Sequence, residues 1–407
     1  MSSCSRACGD ATEASETVVA SVETARWDGV SLFHRAIRPS GRHGPPGRLY
    51  GVRVKAKKAL TELSRDELAA LLADWGQQRY RADQIWRWLY VGLVPSFAEM
   101  SNLPAALRQR LAEHLTVSNV TPLRTRYAED GATEKVLLAL ADGETVETVL
   151  MQYEERQTVC VSSQVGCSIG CAFCATGVGG WNRNLSAGEI VQQVLYYARI
   201  LKAAGKAITN VVYMGMGEPF LNYEQVMRSI RILNDPQGFN LGARRMTVST
   251  VGIAPGIERL SREELEVGLA ISLHAPTDEL RNRLVPVNRK YPLSALIKAC
   301  RGYTERTHRR VTFEYALIDG INDSPTQADT LASLLQNLLC HVNLIPINPV
   351  PELPYRPATH EAILAFERRL RERGINATLR ISRGADIQAG CGQLRRAPTE
   401  CHTIVNA

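Results

Sequence analysis

The sequence predicts an α/β protein, an open partial (β/α) barrel preceded by a small helical module and a β-hairpin. Three observations lead there. Apolar, β-branched runs recur at 157–162, 208–214, 245–251, 267–273, 311–317, 342–347 and 376–381, and helical stretches separate most of them. Strands alternating with helices pair in parallel, because each crossover returns the chain to the same end of the sheet. Ahead of these units the apolar period is two within 133–162, and before that it is helical.

Taken in order, residues 1–57 read as a disordered extension, a Ser/Thr/Ala/Glu mixture running into Pro39-Ser-Gly-Arg-His-Gly-Pro-Pro-Gly-Arg48 without apolar periodicity. Cys4 and Cys8 lie in it without partners. Residues 58–115 form the helical module. Ser64-Arg-Asp-Glu67 is a capping box, followed by Leu68, Leu71, Leu72 and Trp75 at helical spacing. A second helix carries Ile85, Trp86, Leu89 and Tyr90 on one face. The connection Gln78–Gln84 sets Arg79 and Arg81 around Tyr80, a pattern that suits RNA contact and a plain solvated connection equally. Residues 116–155 form a β-hairpin linker, with strands from Glu134 to Leu140 and Thr145 to Met151 around Ala141-Asp-Gly143. The barrel core spans 156–395, and 396–407 is a tail. Within the core, Ser186-Ala-Gly-Glu189 is another capping box, and Thr359–Arg373 is an amphipathic helix ended by Gly374.

Barrels of this kind carry their chemistry at the carboxyl ends of the strands. After the first strand come Cys167, Cys171 and Cys174, three soft ligands within eight residues, suited to an iron–sulfur cluster or a zinc ion. No fourth Cys or His follows nearby, and three ligands on a four-iron cluster leave one iron open. Gly217-Glu218 follows the second strand, Ser249 and Thr250 end the third, and Ser272-Leu273-His274 end the fourth. Asn348 follows the sixth and Cys391 the last. All of these fall on one rim. Singly they are weaker: Ser249, Ser272 and Asn348 are ordinary turn residues, His274 suits a buried structural role, and Glu147 reads as an outward-facing strand carboxylate. Cys160 and Cys391 suit buried apolar thiols, although the glycines around Cys391 fit that poorly.

Composition is that of a soluble globular chain: 407 residues, 45% hydrophobic and 22% charged. No run of 18 apolar residues marks a membrane helix, and no basic segment leads into an apolar core as in a secretory signal. Ten cysteines without such a signal indicate metal or redox chemistry in a reducing cytoplasm. A net charge of +7 permits an RNA partner without requiring one. The pairs Arg244-Arg245, Arg309-Arg310 and Arg395-Arg396 suit phosphate contacts or an ordinary surface.

The cysteine spacing resembles that of the radical S-adenosylmethionine (SAM) superfamily. The strings Cys160-Val-Ser-Ser-Gln-Val-Gly-Cys167 and Met214-Gly-Met-Gly-Glu-Pro219, with Phe173, resemble the RlmN/Cfr group of RNA methyltransferases over about residues 60–395. The resemblance implies a partial (β/α)6-type radical SAM barrel with an RNA-binding helical module. It implies a 4Fe-4S cluster on Cys167, Cys171 and Cys174, and SAM held by Gly217, Glu218, Ser249, Ser272, Leu273, His274 and Asn348. One SAM methylates Cys391 in this family. A second SAM supplies the radical that takes hydrogen from that methyl group, and the carbon radical adds to carbon 2 of an adenine. Glu147 is implied in proton transfer, and Cys160 in resolving the adduct through a disulfide with Cys391. The implied substrates are 23S rRNA and tRNA beside the anticodon; an external flavodoxin or ferredoxin-type electron donor and a monomer complete the expectation. Ala389-Gly390 stands where relatives often carry two alanines, a change expected to alter flexibility. Three alternatives stay open: methylation of carbon 8 as in Cfr, a glycyl-radical activating enzyme, and a zinc-bearing RNA-binding module.

Overall fold

The computed structural model describes residues 57–380 and 383–395. The N-terminal extension up to residue 56, with Cys4 and Cys8, and the tail from Arg396 onward lie outside the described residues.

The helical module is closed by a short parallel pair, β1 (Lys58–Ala59) and β2 (Leu115–Thr116). Between them run α1 (Arg65–Asp74), α2 (Tyr80–Arg87) and α3 (Ala105–His114). The Ser64 capping box forms as expected: Glu67 N–H donates to Ser64 Oγ at 3.2 Å, and Ser64 N–H to Glu67 Oε2 at 2.7 Å. The expected Gln78–Gln84 connection is mostly helix, since α2 begins at Tyr80. Tyr80 is exposed, with the Arg81 guanidinium over its ring. The sequence reading did not single out α3, which buries only Leu107 and Leu111.

Next come β3 (Thr121–Tyr127), β4 (Thr133–Ala139) and β5 (Thr145–Gln152), an antiparallel meander, then β6 (Gln157–Cys160). The expected hairpin is β4–β5. Because β5 also pairs with β6, with Val149 opposite Cys160, the hairpin belongs to the barrel's own sheet. Its two faces explain why both strands are buried. On one face Val136, Leu138 and Val146 enter the large core, where Tyr197 Oη donates to the carbonyls of Glu134 and Thr148 at 3.1 and 3.2 Å, and on the other Lys135 and Glu147 bond to Gln388 and Arg395.

After β6, the pair β7 (Gln164–Gly166) and β8 (Trp181–Asn184) brackets the cysteine loop and the short α4 (Ala175–Val178). Strand and helix then alternate through α5 (Ala187–Ala203), β9 (Asn210–Tyr213), α6 (Tyr223–Asn234), β10 (Met246–Thr250) and α7 (Ala254–Leu260). The series continues with β11 (Gly268–Ser272), α8 (Asp278–Leu284), α9 (Leu293–Thr307), β12 (Val311–Leu317) and α10 (Pro325–Leu335). It ends with β13 (Cys340–Pro346), α11 (His360–Glu372) and β14 (Ala377–Leu379).

Among the described residues these strands make one ten-stranded sheet in the order β14-β13-β12-β11-β10-β9-β6-β5-β4-β3. From β6 to β14 every pairing is parallel and each strand lies beside the next in sequence. Crossovers of one hand that always advance in one direction put their helices on one face, so the sheet curls around the other. β6 and β9–β13 form the six-strand wall of the expected barrel, and β14 adds a short edge. Outward positions are apolar: Tyr315 of β12 packs on Phe366 of α11 at 5.2 Å between ring centroids. Inward positions are mixed, with Ser272, Glu314 and Asn343 side by side in register and Ala316 and Ile345 lining the same cavity. That interior is what a bound ligand would meet.

Candidate active site

Two adjoining cavities occupy the carboxyl end of the barrel. The larger has about 1050 Å³ of free space and a mouth open to solvent. Cys167, Cys171 and Cys174 line it together with Gly217, Glu218, Ser249, Ser272, His274, Asn348 and Cys391. Cys160 lines the smaller one, which Cys391, Arg380 and Met214 also border. Leu273 is fully buried beside them, and Glu147 sits in β5 on the same face as Val149 and Met151, which line the smaller cavity.

The cysteine loop is held by backbone contacts at both ends. Cys167 N–H donates to Gly180 O at 2.8 Å across the β7–β8 pair. Gly166 makes that closure possible, because its φ is +76° and a Cβ there would stand 1.9 Å from Gly180 O. On the other side Ala175 N–H donates to Gly392 O at 2.8 Å and Thr176 Oγ1 to Leu394 O at 2.5 Å. The loop and the Cys391 segment are thereby tied together.

Desolvation pushes the Cys167 thiol up to about 12, and the Cys171 thiol also rises. Free thiols here are neutral, and a cationic iron centre would convert them to thiolates. Three soft donors on one wall, none of them in a disulfide, fit a cluster that leaves part of its coordination to a ligand in the cavity. Among the described residues no three His, Cys, Asp or Glu side chains form a ready cage for a single ion.

The turn after β9 is compact. Gly217 has φ +100°, and a Cβ would lie 2.6 Å from Gln164 Cβ. Glu218 is almost fully buried and its oxygens accept from Phe220 N–H at 3.0 Å and Val251 N–H at 2.9 Å. Burial raises its carboxyl to about 7 against those hydrogen bonds. This carboxylate ties β9 to β10 as well as facing the cavity.

Ser249 Oγ and Ser272 Oγ stand 3.3 Å apart. His274 occupies the left-handed region at φ 60°, its Nδ1 accepting from Ala316 N–H at 3.0 Å and its ring meeting Phe173 edge-on. Burial, with Arg281 adding to it, lowers its titration to about 3, so the imidazole is neutral with the proton on Nε2. Arg281 itself is fully buried and donates to Leu273 O at 3.0 Å, Ser272 O at 3.2 Å and Asn288 Oδ1 at 2.8 Å. Its further bond to Val251 O joins the ends of β10 and β11. The sequence reading missed this clamp.

Asn348 Nδ2 donates to Cys391 O at 3.2 Å. At Gly390 an added Cβ would approach Asn348 Nδ2 to 2.5 Å, so the Ala389-Gly390 departure changes packing against Asn348 as well as flexibility. Cys391 is open to the cleft, yet protein atoms crowd around it; that desolvation raises its thiol and the Arg380 guanidinium opposes the rise. Cys160 is buried, and burial pushes it up to about 12. Both are free thiols, so a standing disulfide between them is not part of this structure.

Glu147 is buried, not outward-facing as the strand pattern by itself suggested. Its Oε1 meets Lys135 Nζ at 2.9 Å and its Oε2 accepts from Arg395 N–H at 2.9 Å. Desolvation lowers the Lys135 titration while Glu147 opposes the shift. Lys135, Glu314 and Arg380 were not singled out from the sequence. A charged residue inside the apolar run Val311-Thr-Phe-Glu314-Tyr was the available signal for one of them.

A curled parallel sheet with a three-cysteine loop after its first strand and a Gly-Glu turn after its second defines a radical SAM protein. A family model described as the Radical SAM superfamily matches residues 161–330, and one described as the ribosomal RNA large subunit methyltransferase N-terminal domain matches 58–117. A probable dual-specificity RNA methyltransferase RlmN from Dictyoglomus thermophilum is 50% identical, covering 81% of this chain and 94% of its own. Its counterpart from Chloroflexus aurantiacus is also 50% identical, covering 83% and 93%. A solved radical SAM methyltransferase from Sphaerobacter thermophilus superposes with a TM-score of 0.82 at 55% identity, covering 83% of this chain and 99% of that one. The chain belongs to the RlmN family. Its cofactors are a 4Fe-4S cluster and SAM.

Proposed function

We propose that this protein is a dual-specificity RNA methyltransferase that methylates carbon 2 of adenosine in 23S rRNA and in tRNA, carrying the methyl group on Cys391. The observation that carries this reading is the pair of thiols outside the cysteine triplet. Cys391 opens onto both cavities, and Cys160 lies on the wall of the smaller one. A generic radical enzyme needs neither.

Cys167, Cys171 and Cys174 hold the cluster. Cluster and SAM, when bound, supply the radical needed because carbon 2 of adenine is electron-poor and resists polar methylation. Gly217 lets SAM approach the backbone, and Glu218, Ser249, Ser272, His274 and Asn348 offer hydrogen bonds around it, with Leu273 as packing. Arg281 positions the β10 and β11 ends. Cys391 is the methyl carrier, Cys160 the thiol that releases the adduct, and Glu147 the proton acceptor, held in place by Lys135 Nζ and the Arg395 N–H.

The target adenosine must leave its stack to reach a recessed cavity, so a loop substrate is favoured. Residues 58–115 serve as the RNA-binding module, 116–155 as the connection and 156–395 as the catalytic core. A flavodoxin or ferredoxin-type donor supplies the electron, and the protein works as a cytoplasmic monomer. No helix among the described residues is long and apolar enough to cross a membrane.

The test is anaerobic reconstitution followed by mass analysis. An S-methyl group on Cys391 and 2-methyladenosine in the RNA are expected. A product methylated at carbon 8, or normal turnover by Cys391→Ala, would overturn the reading.

A further inference from the structure

Among the described residues lining the larger cavity, one buried side-chain polar atom lacks a hydrogen-bond partner: Glu314 Oε2. Glu314 is 6% exposed and stands in the middle of β12, between Ser272 and Asn343 in register. Its other oxygen accepts from Asn343 Nδ2 at 3.0 Å, which fixes the carboxylate plane and leaves Oε2 free. Glu218, the other carboxylate of this wall, already accepts from two backbone N–H groups. A buried acceptor left unmade is costly, and a ligand donor would remove the cost.

We infer that Glu314 is the anchor for the exocyclic amino group of an adenine in the larger cavity. A carboxylate accepts only, so its partner must be an N–H or O–H donor. Burial raises the Glu314 carboxyl, and Arg380 on the same wall opposes that rise without hydrogen bonding to it. A full cation such as an ammonium would face that guanidinium, so a neutral donor fits better. This rests on the proposed function, in which the adenine of SAM and the target adenine of RNA both enter the cavity. Either can be the source, since both carry the same amino group.

Reconstituted wild-type and Glu314→Gln holoenzymes are to be compared, using calorimetric titration with SAM and with a SAM analogue whose adenine is replaced by purine. Turnover is followed on hairpin RNAs carrying adenosine or purine riboside at the target. If SAM is the source, Glu314→Gln weakens SAM binding about 10- to 100-fold, and the purine analogue binds both proteins alike. If the target is the source, SAM binding is unchanged and kcat/KM on the adenosine hairpin falls by that factor, with no difference between proteins on purine riboside. Effects within twofold on both ligands, or equal losses with and without the amino group, overturn the inference. Should Glu314→Gln not fold, wild-type protein decides alone: equal affinity and turnover for both amine-free compounds refutes the anchor. Absence of methyladenosine from wild-type reactions would defeat the proposed function, while the SAM titration would still judge Glu314.

Discussion

Replacing Lys135 by Met would test whether the buried pair with Glu147 is an energetic unit. The two side chains are 5% and 11% exposed and their charges meet at 2.9 Å. At an effective dielectric of about 20, that separation corresponds to a gross attraction of roughly 6 kcal/mol, most of it offset by desolvation. Lys135→Met leaves the Glu147 carboxylate buried with Arg395 N–H as its remaining charge-stabilising contact, and removes the bond from Lys135 Nζ to Gln388 O. Breaking such a pair costs about 3–5 kcal/mol, whereas replacing both partners by apolar groups is often near neutral. Urea unfolding of Lys135→Met, Glu147→Met and the double variant should give a coupling energy of about 3 kcal/mol. Lys135→Met should also slow turnover, because the carboxylate has lost the contact that positions it. A single-variant cost below about 1 kcal/mol, or additive single effects, would refute the pairing as a unit.

Three further outcomes are expected. His274 titrates near 3 when folded instead of at its ordinary 6.5. A depressed value means its contribution is present above pH 6.5 and is lost as pH falls toward 3, roughly 5 kcal/mol in all, so His274→Gln should unfold with a flatter acid dependence in urea. With Cys160 raised to about 12, its thiolate fraction at pH 8 is on the order of one in ten thousand. Iodoacetamide should label it about a thousandfold more slowly than a free cysteine, rising tenfold per pH unit; rapid labelling at pH 8, read by peptide mass, would contradict the burial. Gly166→Ala should break the β7–β8 closure, since its Cβ would overlap Gly180 O, and iron per protein after reconstitution should fall severalfold.

Much of the fold was legible because its signals are local. Each of the seven apolar runs became a parallel strand, and the boxes at Ser64 and Ser186 both form. β3 escaped because Thr121–Tyr127 is exposed on both faces and so carries no alternation. Gln78–Gln84 looked like a connection because its charged residues lie on the solvated side of α2's first turns.

The site divides along the same line. Sequence by itself determined which residue types stand at the strand ends, since the cysteine triplet, Gly217-Glu218 and Ser272-Leu273-His274 each lie within one short segment. Tertiary structure alone decided the partners of buried charges. Lys135 and Glu147 meet because β4–β5 register makes them diagonal neighbours, and Arg281 reaches Ser272, Leu273 and Val251 only once two strand ends converge. Glu314 Oε2 is left without a partner because the sheet curls its inner face around a cavity. A residue's type is covalent, but its desolvation and partners depend on chain segments that pattern and spacing do not bring together.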